Sequence, residues 1–177
     1  MKIWFSPKIK ALKAKNIGVW KDVEIKFSDD LNIITGPSAS GKTTLLKCII
    51  AAVYNKQISE RYLHDDSEIE IVLEGGRLKP CLKENTSVDK SLNTAAEIEF
   101  EMLLNSLRKM NEGYAILIDD VGCMDEKKLE KVFNLIKQIK GQKIITVKQP
   151  LNISDARVFE CVYDDIKGSS KITAKEI

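Results

Sequence analysis

The sequence has no long apolar run. None of its hydrophobic stretches approaches the roughly 18 residues that a membrane-spanning helix requires. Its first residues, 1–7, contain no secretory apolar region. The net charge of only +2 excludes a general attraction to nucleic acid or to an acidic membrane, so any such binding needs a local patch. These absences predict a cytoplasmic protein without membrane insertion.

Cysteine and histidine are scarce. The four cysteines are far apart and none belongs to a C-x-x-C pair, which argues against a zinc knuckle or a disulfide framework. We expect them to be buried or half-buried hydrophobic side chains. The single histidine, His64, lies in the polar run 59–67 and is predicted to be a surface residue. The cysteines are Cys48, Cys81, Cys123 and Cys161.

The remaining composition is that of an ordinary soluble domain. With 177 residues, 44% hydrophobic and 31% charged, the chain is long enough to bury one core and is predicted to form a single domain, 1–177. Helical periods alternate with β-branched runs, which favours an α/β fold with a mainly parallel sheet flanked by helices, preceded by an antiparallel β-layer. The sequence shows no internal repeat.

The boundaries of the elements follow from periodicity and from turn residues. Strands are predicted at 8–15, 23–27, 31–35, 67–74, 114–118, 143–147, 157–163 and 171–173, with turns at 16–18 and 21–22. Helices are predicted at 44–54, from Thr94 to Gly113, and at about 125–140. The segment 77–93 has no clear period and is predicted to be irregular.

The most specific motif is a complete G-x-x-x-x-G-K-[ST] phosphate-binding loop between an apolar strand and an apolar helix. Its glycines allow backbone N–H groups to surround phosphates, and the helix directs its positive end at the same anion. Lys42, expected in an exposed loop, would reach the β- and γ-phosphates, and the Thr43 hydroxyl would bind Mg²⁺. The proposed ATP-binding residues are Gly36, Pro37, Ser38, Ala39, Ser40, Gly41, Lys42, Thr43 and Thr44.

An acidic pair closes the predicted strand 114–118. Asp119 is expected to orient Mg²⁺ beside the phosphate loop at the carboxyl edge of the sheet. Asp120 follows it and could hold the attacking water. A solvated turn is the alternative interpretation of such a pair.

This order of parts resembles the ATP-binding cassette superfamily, in particular its SMC/RecF branch of chromosome and repair ATPases. The resemblance is carried by A-L-K-A-K-N-I-G-V-W-K-D-V-E-I-K-F followed by L-N-I-I-T-G-P-S-A-S-G-K-T-T-L-L. It implies a cassette-type ATPase core that binds ATP and Mg²⁺, with two copies closing over two nucleotides as a homodimer. Asp119 follows Lys42 by only 77 positions, so the long coiled-coil arm of SMC proteins is absent.

The chain departs from the family pattern at four positions. Where the family has L-S-G-G-Q, this chain has Leu92 to Glu97, so that Thr94 either takes the serine's role toward the partner's ATP or only caps its helix. Lys148 replaces the switch histidine, and either supplies charge to the γ-phosphate or is a solvated strand-end lysine. Asp120 replaces a glutamate. Met124-Asp125 stands in place of the usual L-D of the family's aspartate-containing loop, and Asp125 could belong to that loop, cap the next helix, or do both.

These departures, together with the lack of a convincing Q-loop glutamine, predict slow hydrolysis. The resemblance makes Lys42, Asp120 and Lys148 the candidate catalytic residues, Thr43 and Asp119 the candidate metal ligands, and Thr94 a candidate nucleotide contact. Three other functions are open. They are a nucleotide-gated binding module with little turnover, a small-molecule phosphotransferase, and a transporter subunit.

The N-terminal layer also carries lysines and aromatic residues that could bind DNA. The lysines recur with a two-residue period, which a plain solvated strand face would show as well. DNA is therefore a possible partner, with that alternative open. The residues concerned are Lys8, Lys10, Lys13, Lys15, Lys21, Lys26, Trp4, Phe5 and Trp20.

Overall fold

The structure is a computed structural model that describes residues 2–5, 8–54, 57–79, 115–121, 126–149 and 153–175. The predicted helix that begins at Thr94 lies outside these residues, as do Asp125, Cys81 and Cys123. In chain order the described elements are β1 (Lys2–Phe5), β2 (Ile9–Ile17), β3 (Trp20–Lys26), β4 (Leu31–Thr35), α1 (Lys42–Tyr54), a 3-10 turn (Glu60–Tyr62), β5 (Leu63–Leu73), β6 (Gly76–Leu78), β7 (Ala115–Ile118), α2 (Glu126–Gln138), β8 (Lys143–Val147), β9 (Ala156–Asp164) and β10 (Ser169–Lys175).

Six strands form one sheet in the order β1-β7-β8-β4-β9-β10. Its centre is parallel, because β4 pairs with β8 and β9 and β8 pairs with β7, whereas β1 and β10 join the two edges antiparallel. Every residue of β4 and β8 is buried, as expected for strands covered on both faces. The predicted mainly parallel sheet is confirmed, and β4 and β8 have their predicted bounds.

The other four strands form an antiparallel sheet in the order β3-β2-β5-β6, which confirms the predicted N-terminal β-layer. Some details of the prediction were wrong. β2 continues to Ile17, into the predicted turn at 16–18, and β6 (Gly76–Leu78) occupies the start of the segment predicted to be irregular. Lys21 and Asp22 lie within β3 and not in a turn, and both side chains are exposed near the start of the strand. β5 begins at Leu63, four residues before the predicted start at Ser67, and its early residues pair with β2.

Two apolar layers cover the six-stranded sheet. One contains α1 and the inner face of the antiparallel sheet, with Leu45, Leu46 and Ile49 fully buried. The other contains α2, whose Val132 and Ile136 pack on the opposite face. The predicted inward face of this helix is confirmed, and the two layers hold the central strands in fixed positions.

Gln142 ties the two sheets together at the start of β8. Its side chain is buried, its Oε1 accepts the Ile9 N–H at 2.8 Å, and its Nε2 donates to the carbonyls of Ile9 and Ser28 at 2.7 and 2.8 Å. Because both ends of this buried amide are hydrogen-bonded, the bonds offset the cost of removing it from water. This contact lies at the amino ends of the parallel strands, opposite the edge that carries the phosphate loop.

Candidate nucleotide-binding site

The carboxyl ends of the parallel strands bring several predicted site residues to one edge. Gly36 follows β4, Asp119 and Asp120 follow β7, and Lys148 follows β8. In open α/β sheets, ligands bind outside this edge. The site is therefore built from three strand ends that are far apart in sequence.

The phosphate loop has a backbone that requires glycine at two positions. Gly36 has a φ of 151° and Gly41 a φ of 88°. A Cβ at Gly36 would lie 2.4 Å from the Cys161 carbonyl oxygen, and one at Gly41 would lie 2.5 Å from the Trp20 Nε1. Trp20 Nε1 also donates to the Gly41 carbonyl oxygen at 3.1 Å. The loop is thus shaped by close contact with its surroundings as well as by its own sequence.

The Lys42 side chain is buried although the tip of the loop, 37–39, is exposed, which corrects the expectation from sequence. The residue is 8% exposed, and its Nζ donates to the carbonyl oxygens of Gly36 and Pro37, each at 2.7 Å. Burial lowers the pKa of Lys42, while the nearby carboxylates of Asp119 and Asp120 act in the opposite direction. An anion in the loop would favour the charged form of this amine.

Thr43 and Asp119 meet at the mouth of the loop. Thr43 Oγ1 donates to Asp119 Oδ1 at 3.2 Å, and Thr146 Oγ1 donates to the same oxygen at 2.7 Å. A hydroxyl and a carboxylate are hard oxygen donors, and Mg²⁺ is usually held by few such protein groups together with phosphate oxygens and water. The residues present therefore fit a magnesium ion bound with nucleotide.

Asp120 adopts a left-handed backbone conformation, with a φ of 54°. Its N–H donates to Thr146 Oγ1 at 2.8 Å, and its carboxylate Oδ2 lies 3.5 Å from Lys148 Nζ. Both side chains are partly exposed, so the ion pair is accessible to solvent. The structure thus brings together the two residues that the sequence proposed as water-orienting base and switch residue.

A cavity of about 590 Å³ adjoins the loop and includes residues that the sequence did not single out. The Tyr62 ring forms one part of its wall, with the Arg61 guanidinium 4.7 Å and the Lys47 Nζ 5.1 Å from the ring centroid. His64 is exposed, as predicted, but it lies in the same wall. The lining residues are Gly18, Val19, Ala39, Gly41, Lys42, Thr43, Thr44, Arg61, Tyr62 and His64.

Thr146 is the other residue that sequence reasoning missed. It is fully buried in the apolar strand β8 and contacts both aspartates. A threonine in a β-branched run is an ordinary strand residue, so its sequence context gives no signal of this role. Thr94, by contrast, lies outside the described residues, and its predicted role stays a prediction.

The structure corrects the proposed basic and aromatic face of the N-terminal layer. Trp20 is 1% exposed and packs behind the phosphate loop, so its ring cannot contact DNA. On the outer face of β2, Lys13 lies opposite Glu24 and Glu70 on the neighbouring strands. Lys15 likewise lies opposite Asp22 and Glu68. Carboxylates therefore flank both lysines, which reduces the attraction of this face for a phosphate backbone.

The predicted burial of cysteine is confirmed for the two cysteines that the structure describes. Cys48 and Cys161 are both fully buried and free. Burial raises the pKa of each thiol to about 12.

Among the described residues, no helix has the length and apolar character needed to cross a bilayer.

Comparison with known proteins identifies relatives of the chain. A family model described as an AAA domain (AAA_23) matches residues 11–158. The DNA replication and repair protein RecF from Bacillus cytotoxicus is 30% identical over 112 residues, which is 58% of this chain but only 30% of that relative's length. The chain thus spans under a third of that relative.

Two solved structures share the fold. An SMC head domain from Thermotoga maritima has a TM-score of 0.61 at 13% identity, covering 97% of this chain and 100% of that chain. An SMC head bound to the C-terminal winged-helix domain of ScpA has a TM-score of 0.58 at 13% identity, covering 97% and 98% of the two chains. At this identity the likeness concerns the fold alone.

Proposed function

Because the chain belongs to the AAA domain family, we propose that it is a P-loop ATPase of the SMC/RecF type, which binds Mg-ATP at the loop 36–44 and hydrolyses it. The observation that carries the proposal is the contact of Thr43 with Asp119 at the mouth of a phosphate loop whose lysine is buried. A phosphate chain and a divalent cation are the ligands that such a combination suits. The whole of 1–177 is proposed to act as one ATPase domain.

Lys42 would bind the β- and γ-phosphates together with the backbone N–H groups of the loop. Its Nζ already points toward the loop carbonyls of Gly36 and Pro37, so reaching a phosphate requires only a local change of hydrogen-bond partner. Phosphate oxygens carry more negative charge than carbonyl oxygens and form stronger, charge-assisted hydrogen bonds. Phosphate binding would therefore also offset the cost of burying the charged amine.

Thr43 and Asp119 would hold Mg²⁺, which neutralises charge on the phosphates when bound. Asp120 would orient the attacking water for an in-line displacement, because its carboxylate lies on the residue adjoining Asp119 at the same sheet edge. Lys148, 3.5 Å from Asp120 Oδ2, would add positive charge near the γ-phosphate. In this type of reaction, positioning and charge stabilisation contribute most of the acceleration.

The base of the nucleotide would lie in the adjoining cavity, against Tyr62 and Arg61. A planar aromatic ring flanked by cationic groups suits a purine, which can stack on the ring or on the guanidinium plane. Gly18 lies close to this ring, so that a Cβ added there would be only 3.3 Å from Tyr62 Cδ1. A Tyr62→Ala variant should weaken ATP binding more than binding of inorganic triphosphate.

Two copies would associate in the presence of Mg-ATP, as the resemblance to SMC heads implies, with Thr94 of one copy near the nucleotide of the other. The similarity to a protein named for DNA replication and repair makes DNA a proposed binding partner. Because Trp20 is buried, any DNA contact would use a surface other than an aromatic face of β3.

A nucleotide-gated binding module is the second candidate function. The Asp120–Lys148 ion pair favours it, because a carboxylate oxygen that contacts an ammonium group at 3.5 Å is less available to accept a hydrogen bond from the attacking water. Such a protein would bind ATP and associate without appreciable phosphate release.

Sedimentation of the purified protein with and without Mg-ATP, alongside phosphate release, separates these candidates. The ATPase predicts a dimer with ATP and steady phosphate release, and the binding module predicts the dimer alone. A protein that neither dimerises with Mg-ATP nor releases phosphate would contradict both.

A further inference from the structure

The hydroxyl of Thr146 makes two hydrogen bonds to consecutive residues at the candidate metal site. It donates to Asp119 Oδ1 at 2.7 Å and accepts the N–H of Asp120 at 2.8 Å. A hydroxyl has one proton to donate and lone pairs that accept, so it satisfies both partners at once. No apolar side chain of the same shape could do this.

The two bonds fix two different properties of the site. The bond to Asp119 holds the carboxylate oxygen that also accepts the Thr43 hydroxyl at 3.2 Å. The bond from Asp120 holds its main chain in the left-handed conformation, with a φ of 54°, which is an uncommon state for a residue other than glycine. One side chain on β8 thus constrains both residues that follow β7.

The position of Thr146 makes it a rigid support. It is 0% exposed, it lies in a strand whose five residues are all buried, and β8 is paired on both sides by β7 and β4. Groups held by packing and by a sheet ladder move little, and such support keeps catalytic geometry within tolerance. Thr43, in contrast, lies on the exposed mouth of the loop.

We propose that Thr146 is a positioning residue, which aligns Asp119 for Mg²⁺ and holds Asp120 beside the phosphate site without itself touching nucleotide. This inference rests on the proposed function, since it assigns a role within the same site. It separates Thr146 from a threonine that merely fills space in the core. Replacing the hydroxyl by a methyl group should therefore alter metal dependence and not the metal-free affinity for nucleotide.

Thr35 provides a matched control on the neighbouring strand. It is 1% exposed in β4, where it lies opposite Val147, and its hydroxyl makes no hydrogen bond within the described residues. Thr35→Val and Thr146→Val make the same chemical change in the same sheet. Only the second removes hydrogen bonds to the aspartates.

The experiment measures ATP affinity as a function of Mg²⁺ concentration by titration calorimetry, with melting temperature and phosphate release in parallel. Thr146→Val should raise the Mg²⁺ concentration for half-maximal effect about tenfold and slow phosphate release about tenfold or more, because hydrogen bonds to a charged group are involved. Its affinity for ATP in EDTA should match that of the parent. Thr146→Ser, which keeps the hydroxyl, should stay within about threefold of the parent in Mg²⁺ dependence.

A Thr146→Val protein with the Mg²⁺ dependence of the parent would overturn the proposal, and so would a shift of equal size in Thr35→Val. If Thr146→Val does not fold, Thr146→Ser decides the matter, because a large rise in its Mg²⁺ requirement would contradict the role of the hydroxyl. Failure of the parent to bind Mg-ATP would refute the proposed function itself. The two failures can be told apart, because the proposal for Thr146 is overturned only when the parent binds Mg-ATP and Thr146→Val shows the same Mg²⁺ dependence.

Discussion

Gly41→Ala is the substitution whose cost can be worked out most directly from the structure. The new Cβ would lie 2.5 Å from Trp20 Nε1 and 2.6 Å from Val19 Cγ2, in a residue with a φ of 88°. Trp20 is 1% exposed and cannot turn into solvent without opening the core. The loop itself must therefore shift away from the antiparallel sheet.

Two contributions set the expected loss of stability. A non-glycine residue in such a backbone region costs about 1–3 kcal/mol, and overpacking adds about 1–3 kcal/mol, for a total of roughly 2–6 kcal/mol. In a domain of this size each kcal/mol lowers the melting temperature by about 2–4 °C, so a decrease of roughly 4–24 °C is expected. Nucleotide affinity should fall as well, because the phosphate-binding N–H groups move with the loop.

Thermal melting of Gly41→Ala beside Gly76→Ala tests this reasoning. Gly76 lies in the exposed strand β6 and a Cβ there would meet nothing within 4 Å, so its replacement should change stability by less than about 1 kcal/mol. Equal melting temperatures for the two variants would refute the claim that Trp20 and Val19 constrain the phosphate loop.

Two further predictions concern the site, and a third concerns the buried cysteines. Asp120→Asn should slow phosphate release at least about tenfold and keep ATP binding, since asparagine tolerates the same left-handed backbone. Asp119→Asn should instead weaken Mg²⁺-dependent ATP binding. Interchanged effects of the two substitutions would contradict the assigned roles. Thr94→Asp should keep its melting temperature and its affinity for ATP as a monomer but lose ATP-induced dimerisation, because its carboxylate would face the γ-phosphate of the ATP bound by the other copy. A normal dimer in sedimentation with Mg-ATP would leave Thr94 as a helix cap. Because burial raises the pKa of Cys48 and Cys161 to about 12, neither thiol should react with iodoacetamide at pH 8 until urea unfolds the protein. Peptide mapping that finds rapid alkylation of either cysteine in the folded protein would contradict their burial.

The parts of the fold that could be predicted from the sequence are those fixed by local pattern. The strands 31–35 and 143–147 are β-branched runs buried on both faces, so their bounds are visible without the structure. The phosphate loop is recognisable because its chemistry demands particular residues at fixed spacing. Lys21 and Asp22 were misread because two consecutive exposed polar residues near the start of a strand resemble a turn.

The unpredicted parts of the site depend on contacts between distant segments. Trp20 supports the loop through a bond to Gly41, which is 21 positions away. Thr146 reaches Asp119 across 27 positions, and Tyr62 enters the cavity because a 3-10 turn returns the chain toward Gly18. The residue type at each of these positions does not reveal its contact with a distant segment, since the same side chain would be ordinary in any sheet or turn.

The central claim is that Mg-ATP binds at the loop through Lys42, and calorimetric titration of Mg-ATP into the parent, Lys42→Ala and Lys15→Ala tests it most directly. Lys15 is exposed on β2, away from the loop, so its variant controls for the loss of one positive charge. Because Lys42 is buried, each protein's melting curve is recorded to show that it is folded. The account predicts binding by the parent and by Lys15→Ala and no detectable binding by a folded Lys42→Ala. Equal affinity in all three proteins would contradict it.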